Sequence, residues 1–172
     1  AFVESSQNDL ALIGMMFMIV VAVTLLLTRN IFATIATLVV VMFSIMSAFG
    51  FIGLSGIKLT PPSSVFPTMI LTLAVADSIH ILVTMLQKFR KEGYGKKEAI
   101  IESLRLNFMP VFITSLTTVI GFLTLNFGEV PPFWHLGNIT AFGMTMALLY
   151  SSTTLPALMA IFPLWKKTKK SE

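Results

Sequence analysis

Five mostly apolar runs of about twenty residues or more follow one another along this chain, four of them without a charge. At about 1.5 Å per helical residue, each is long enough to cross a hydrocarbon core of about 30 Å. They extend from about Leu10 to Thr28, Ile31 to Gly56, Val65 to Gln87, Phe108 to Phe127 and Asn138 to Leu164. No segment between them is long enough for a second core, so residues 1–172 read as one transmembrane domain, all-α, with five spans. Composition agrees. Of the residues, 55% are hydrophobic and 12% charged, roughly half the charged share of an ordinary soluble domain. A water-soluble globule could not cover itself with so few polar side chains. The sequence starts at Ala1 with no basic-then-apolar leader, and it reads as a piece of a longer protein.

The basic residues set an orientation. Arg29, the group Lys88, Arg90, Lys91, Lys96, Lys97 and Arg105, and the tail residues Lys166, Lys167, Lys169 and Lys170 fall in three segments on one side of five spans. Only Lys58 falls on the other. By the positive-inside rule the crowded side is cytoplasmic, which puts the N-terminus outside and the C-terminus inside. This asymmetry accounts for the pI of 9.6 with no nucleic-acid partner. The absence of cysteine excludes disulfides and thiolate metal sites, and His80 and His135 lie too far apart for a local metal motif. Glycine-rich nucleotide loops are absent as well, so neither a metal nor a cofactor is expected. An intramembrane aspartyl protease needs two carboxylates sharing a site. Here one acidic residue lies inside a span, and the chain is not read as an enzyme.

Between the third and fourth spans, Gly93, Tyr94 and Gly95 interrupt a polar stretch. After them Ile100, Ile101, Leu104 and Phe108 fall on one helical face and Lys97, Glu98, Glu102 and Arg105 on the other, the pattern of an interfacial amphipathic helix over about residues 96–107. Pro131, Pro132, Phe133, Trp134 and His135 read as an outer loop with aromatic interface anchors.

The acidic residue inside a span is Asp77. It lies about 15 Å along a path of about 31 Å, near the bilayer midplane, where an aspartate costs about 3 kcal/mol and must face protein or water. His80 and Thr84, three and seven residues on, share its helical stripe. An acid beside a histidine offers two groups that can exchange a proton; the plainer reading is a structural hydrogen bond to a neighbouring helix. Thr114, Thr117, Thr118 and Gly121, with Ser115 beside them, form a stripe on span four. That stripe can receive span three and hydrogen-bond Asp77, line a hydrated path, or serve close packing alone. Ser44, Ala48, Gly50, Gly53 and Gly56 on span two read as packing positions. In span five, Ser151 to Thr154 precede Pro156, which should bend the helix as a static kink or a hinge.

Several strings carry a resemblance. Leu73 to Leu82 (LAVADSIHIL), Phe89 to Glu92 (FRKE), Ile113 to Thr124 (ITSLTTVIGFLT), Pro131 to Asn138 (PPFWHLGN) and the run Leu155 to Leu158 together resemble the resistance-nodulation-division superfamily. Within it they look most like the MMPL-type or hydrophobe/amphiphile exporters, and most like the first repeat. The resemblance covers nearly the whole chain and implies spans two to six of one six-span repeat. A second repeat and large extracytoplasmic domains would then lie outside this sequence. It also implies that Asp77 is the acid of proton coupling. Ser78 stands where relatives often have Tyr, and His80 matches a histidine of some branches.

The leading expectation is therefore a proton-motive-force-driven exporter of hydrophobic or amphiphilic molecules, lipids included, in a bacterial cytoplasmic (inner) membrane. Asp77 and His80 are its proton relay, with Ser78, Thr84, Thr114, Thr117 and Thr118 as candidate relay or packing partners. Membrane lipid, the second repeat and a further copy of the chain are the expected partners. The competing expectation, from another class, is a non-transporting module for lipid sensing or for assisting protein translocation.

Overall fold

The computed structural model describes residues 2–163, with side chains from residue 14 onward. All of its regular structure among these residues is helical. The helices are α1 (Phe2–Thr28), α2 (Ile31–Ser55), α3 (Phe66–Arg90), α4 (Lys96–Leu123), α5 (Pro131–Ser152) and α6 (Thr154–Ile161), with short 3-10 turns before α3 and after α4. Four helical stretches, Ile31–Ser55, Ser63–Arg90, Lys96–Phe127 and Pro131–Ile161, are long and apolar enough to cross a membrane, and Gly14–Thr28 adds a shorter apolar one. The chain is thus an all-α membrane protein. The basic tail from Lys166 to Lys170 and the expected end of span five at Leu164 lie outside the described residues.

The α1–α2 joint is tight because its two residues each do something specific. Arg29 takes a left-handed φ of 47°, and Asn30 caps α2 by accepting from the amides of Phe32 and Ala33 at 2.9 and 3.4 Å. The Arg90 guanidinium, from the end of α3, donates to the carbonyls of Thr28 and Arg29 at 2.8 and 3.3 Å. It thereby satisfies orphan carbonyls at the C-terminus of α1, where a cation is also favoured by the helix dipole. At α6 the Lys96 ammonium does the same, donating to the carbonyls of Ala160 and Phe162 at 2.6 Å each.

Three buried clusters stack along the bundle, and α3 contributes to all of them. Phe66 and Ile70 meet Ala48, Leu136 and Ile139; Ala74 and Val75 meet Val41 and Ala147; Leu82 and Met85 meet Val40, Leu155 and Met159. The order of these partners means that α3 and α5 run parallel. In lipid the clusters gain little from the hydrophobic effect, since acyl chains are as apolar as Leu, and cohesion rests on close packing. That closeness is visible at two glycines of α5. A Cβ on Gly143 would collide with the Ile70 side chain, and one on Gly137 with the Phe122 carbonyl.

Some local expectations change. Ser44 and Ala48 of α2, read as packing positions, are fully buried, but Gly50, Gly53 and the cap residue Gly56 have nothing within 4 Å of where a Cβ would stand, so the close approach of glycine lies on α5. The amphipathic segment 96–107 is helical but does not form a separate element. It continues through Pro110 into the fourth span as the single helix Lys96–Leu123. Pro110 removes one hydrogen bond from the helix interior, and contacts with α3 hold the segment N-terminal to it. Ser103 donates to the Ile81 carbonyl, Ala99 and Ile100 enter the cluster around Leu82 and Leu104 packs against it, so this edge lies on protein, while Ile101 and Phe108 of the expected apolar face are exposed. The supposed outer loop at Pro131 is the first turn of α5, with prolines at positions whose amides would be unsatisfied in any case. The break near Pro156 is present, at Thr153 between α5 and α6. The hydroxyls of Ser152 and Thr153 turn back to the Leu148 and Leu149 carbonyls. These lie a turn before the carbonyls that the proline frees.

Candidate functional site

Asp77 sits halfway along α3, only 7% exposed. Its Oδ2 accepts a hydrogen bond from the Ser115 hydroxyl of α4 at 3.0 Å. A carboxylate in a low-dielectric interior requires such a donor, because an ionised group without one costs several kcal/mol on the order of its lost hydration.

The surroundings of Asp77 are two-sided. Taking Asp77 as zero and about 100° per residue, Ile81, Ala74 and Ser78 lie about 40°, 60° and 100° to one side. All three are buried. On the other side His80, Ala76, Val83 and Thr72 lie about 60°, 100°, 120° and 140° away. All four are exposed. A similar division holds on α4. With Ser115 as zero, Val119 lies about 40° toward one side, where it lines a groove with Asn138, Ala141 and Phe142 of α5. Thr118, Thr114, Gly121 and Thr117 lie about 60°, 100°, 120° and 160° toward the other. Because α3 and α4 run antiparallel, both polar arcs open on the same flank of the Asp77–Ser115 contact. The carboxylate is therefore at the edge of the core, beside a strip of small and polar side chains in otherwise apolar spans.

The expected relay residues distribute as follows. His80 is exposed, its backbone carbonyl accepts from the Thr84 hydroxyl at 3.0 Å, and no hydrogen bond reaches its ring among the described residues. Ser78 is fully buried on the opposite side and donates to the Ala74 carbonyl at 2.7 Å. Thr114, Thr117 and Thr118 donate to the carbonyls of Pro110, Ile113 and Thr114. None of these hydroxyls donates to Asp77. The partner is Ser115, one residue off the threonine stripe and so about 100° around α4 from its Thr114 edge. The sequence placed Ser115 beside that stripe but could not say which face of α4 meets α3. Ser103, twelve residues earlier on α4, makes the second polar tie between the two helices through the Ile81 carbonyl.

Elsewhere polar groups serve assembly. Ser47 of α2 and Tyr150 of α5 share a hydrogen bond of 2.9 Å. Asn126 and Asn138 exchange two amide bonds of 3.0 and 2.9 Å across the α4–α5 turn. No cluster of three His, Asp or Glu side chains that could hold a metal ion occurs among the described residues.

Comparison with known proteins gives the chain a family. A protein of Methanocaldococcus jannaschii, whose name describes it only as a membrane protein, is 28% identical over 171 residues, covering 96% of this chain and 42% of the relative. The chain therefore spans well under half the length of the curated relative it matches. No solved structure matches it. The model of the MMPL family matches residues 1–172, the whole sequence, and the chain belongs to that family of membrane proteins.

Proposed function

We propose that this chain is the transmembrane part of a proton-motive-force-driven exporter of hydrophobic or amphiphilic molecules, lipids among them, with Asp77 as the proton carrier. The observation that carries this reading is a lone intramembrane carboxylate at the core's edge, hydrogen-bonded across two helices and flanked by an exposed histidine. Ionisable residues at that depth are costly and are retained for function. A proton entering from one side and leaving on the other releases about 2.3 kcal/mol per 100 mV, enough to shift a two-state helix contact. His80, on the open flank, is the proposed delivery group. The flank itself is the proposed seat of helices from the rest of the full-length protein or of a second copy.

Asp77→Asn in the full-length protein is the direct test. Asn preserves size and hydrogen bonding but cannot load and release a proton. In vesicles carrying an NBD-labelled phosphatidylethanolamine, gradient-dependent movement of the label should be lost at normal protein levels, and His80→Ala should weaken it less. Normal movement in the Asn variant eliminates proton carriage by Asp77. A non-transporting lipid-sensing or translocation module would move no label in the wild type either.

The same proposal places Arg29, Arg90 and Lys96 at the cytoplasmic face and Lys58 outside. Lys58→Cys and Lys97→Cys are both at exposed positions in a chain without cysteine; an impermeant maleimide should label the first in intact cells and the second only after permeabilisation. Labelling of Lys97→Cys alone in intact cells reverses the topology, and labelling of both breaks it.

A further inference from the structure

Hydroxyls inside membrane helices usually donate to the carbonyl one turn earlier in their own helix, and those of α3 and α4 mostly do so. Thr72, Ser78 and Thr84 turn back in this way on α3, and Thr114, Thr117 and Thr118 do so on α4. Ser115 departs from the pattern. It is buried, at 2% exposure, and its hydroxyl crosses to Oδ2 of Asp77. Ser103 also crosses, but its acceptor is a backbone carbonyl, which has no second protonation state.

We infer that Ser115 is a positioning residue that converts the protonation of Asp77 into a change of the α3–α4 contact; this rests on the reading of Asp77 as proton carrier. With the carboxylate ionised, it has acceptors only, and the Ser115 O–H must be the donor. Once the carboxyl takes up a proton it has an O–H of its own, and the bond inverts. The Asp77 O–H donates to Ser115 Oγ, while the Ser115 O–H turns back to the Val111 or Phe112 carbonyl, as its neighbours do. The arriving proton stays on the carboxyl and Ser115 keeps its own, so no covalent bond to serine changes. What changes is strength, because a bond to an ionised acceptor is about twice as strong as a neutral one. Neutral Asp77 loosens the grip of α4 near the middle of the membrane and leaves Ser103 as the firmer tie. Loss of the proton restores the grip.

The test uses the full-length protein in phosphatidylethanolamine/phosphatidylglycerol vesicles. Infrared difference spectra between acid and neutral pH give the C=O stretch of protonated Asp77, assigned by its absence in Asp77→Asn. In Ser115→Ala this band should move to higher wavenumber, since the protonated carboxyl loses its acceptor. Gradient-driven movement of NBD-labelled phosphatidylethanolamine should fall about tenfold, the equivalent of one hydrogen bond. Ser115→Thr, which keeps the hydroxyl, should restore both. If the Ala variant fails to accumulate, Ser115→Cys fills the same space with a weaker donor and should give an intermediate band. An unmoved band in these variants overturns the inference and leaves Asp77's own role intact. A moved band with undiminished label movement also overturns it, because the contact would then carry no coupling. Normal label movement by Asp77→Asn removes this inference together with the proposed function.

Discussion

Helices α3 and α4 are neighbours of similar length and hydropathy, yet they live in different surroundings. In the most apolar stretch of α3, 56% of the residues are buried by the rest of the chain; for α4 the figure is 11%. Helix α3 has partners on most sides and reaches all three core clusters. Helix α4 is buried along a seam through Ala99, Ile100, Ser103, Val111 and Ser115, touches α5 around Phe122, and offers most of its other side chains outward. The lesson is that similar apolar content says little about how much protein a membrane helix holds in contact. A leucine facing acyl chains is in much the same solvent before and after the bundle forms, whereas one enclosed by other helices contributes packing that is lost on separation.

This contrast can be broken by matched truncations. Leu82→Ala, at a fully buried position of α3, should destabilise the protein by about 2–5 kcal/mol, while Leu116→Ala, at an exposed position of α4, should stay within about 0.5 kcal/mol of the parent. Unfolding of the full-length protein by SDS in mixed micelles measures both. Equal effects would mean that α4 is enclosed as fully as α3, by helices outside this chain.

A smaller pair sharpens it. Gly143→Ala puts a methyl against Ile70 of α3 and should cost about 1–3 kcal/mol in the same unfolding measurement. Gly121→Ala on α4 meets open space within this chain, so its effect on the contacts of this chain is limited to a gain of up to about 1 kcal/mol in helix propensity. A large penalty at Gly121 would identify that flank of α4 as a packed interface in the assembled protein, consistent with the partner proposed there.

Much of the fold was legible because hydropathy and span length are local quantities. The runs that became α2, α3 and α5 with α6 contained the bilayer-crossing segments, and the bend before Pro156 follows from a proline without an amide. Boundaries were less legible where a local pattern competes with a distant contact. The change from an amphipathic to an apolar pattern near Phe108 suggested a division between interface and span, but the two parts form one continuous helix, tied to α3 by Ser103 and Ile81 and by the burial of Ala99. The PPFWH string looked like a loop because it lies between two spans, although its two prolines suit a helix start.

The site divides in the same way. The depth and isolation of Asp77 follow from counting residues, so its selection needed no structure. The identity of its partner did not follow. Periodicity orders the residues around one helix axis but leaves free the rotation of that helix against its neighbour. The threonine stripe was the most conspicuous polar face of α4, yet the rotation adopted puts Ser115 against α3 and turns most of the stripe outward. The buried hydroxyls of Thr24 and Thr140, which have no hydrogen-bond partner among the described residues, carried no sequence signal and have no structural explanation here.

The continuity of α4 across Pro110 gives the helix the mechanics of a lever. Ser103 is its fulcrum, with Ser115 about 18 Å along one arm and Leu123 about 30 Å, while Lys96 lies about 10 Å along the other. A tilt that carried Ser115 through about 1 Å would carry Leu123 through about 1.7 Å and Lys96 through about 0.6 Å in the opposite sense. Lys96 is clamped to the end of α6, so a displacement in the middle of the membrane is felt as a pull on the segment beyond the Thr153 break. A helix divided at Pro110 would have absorbed that motion at the joint.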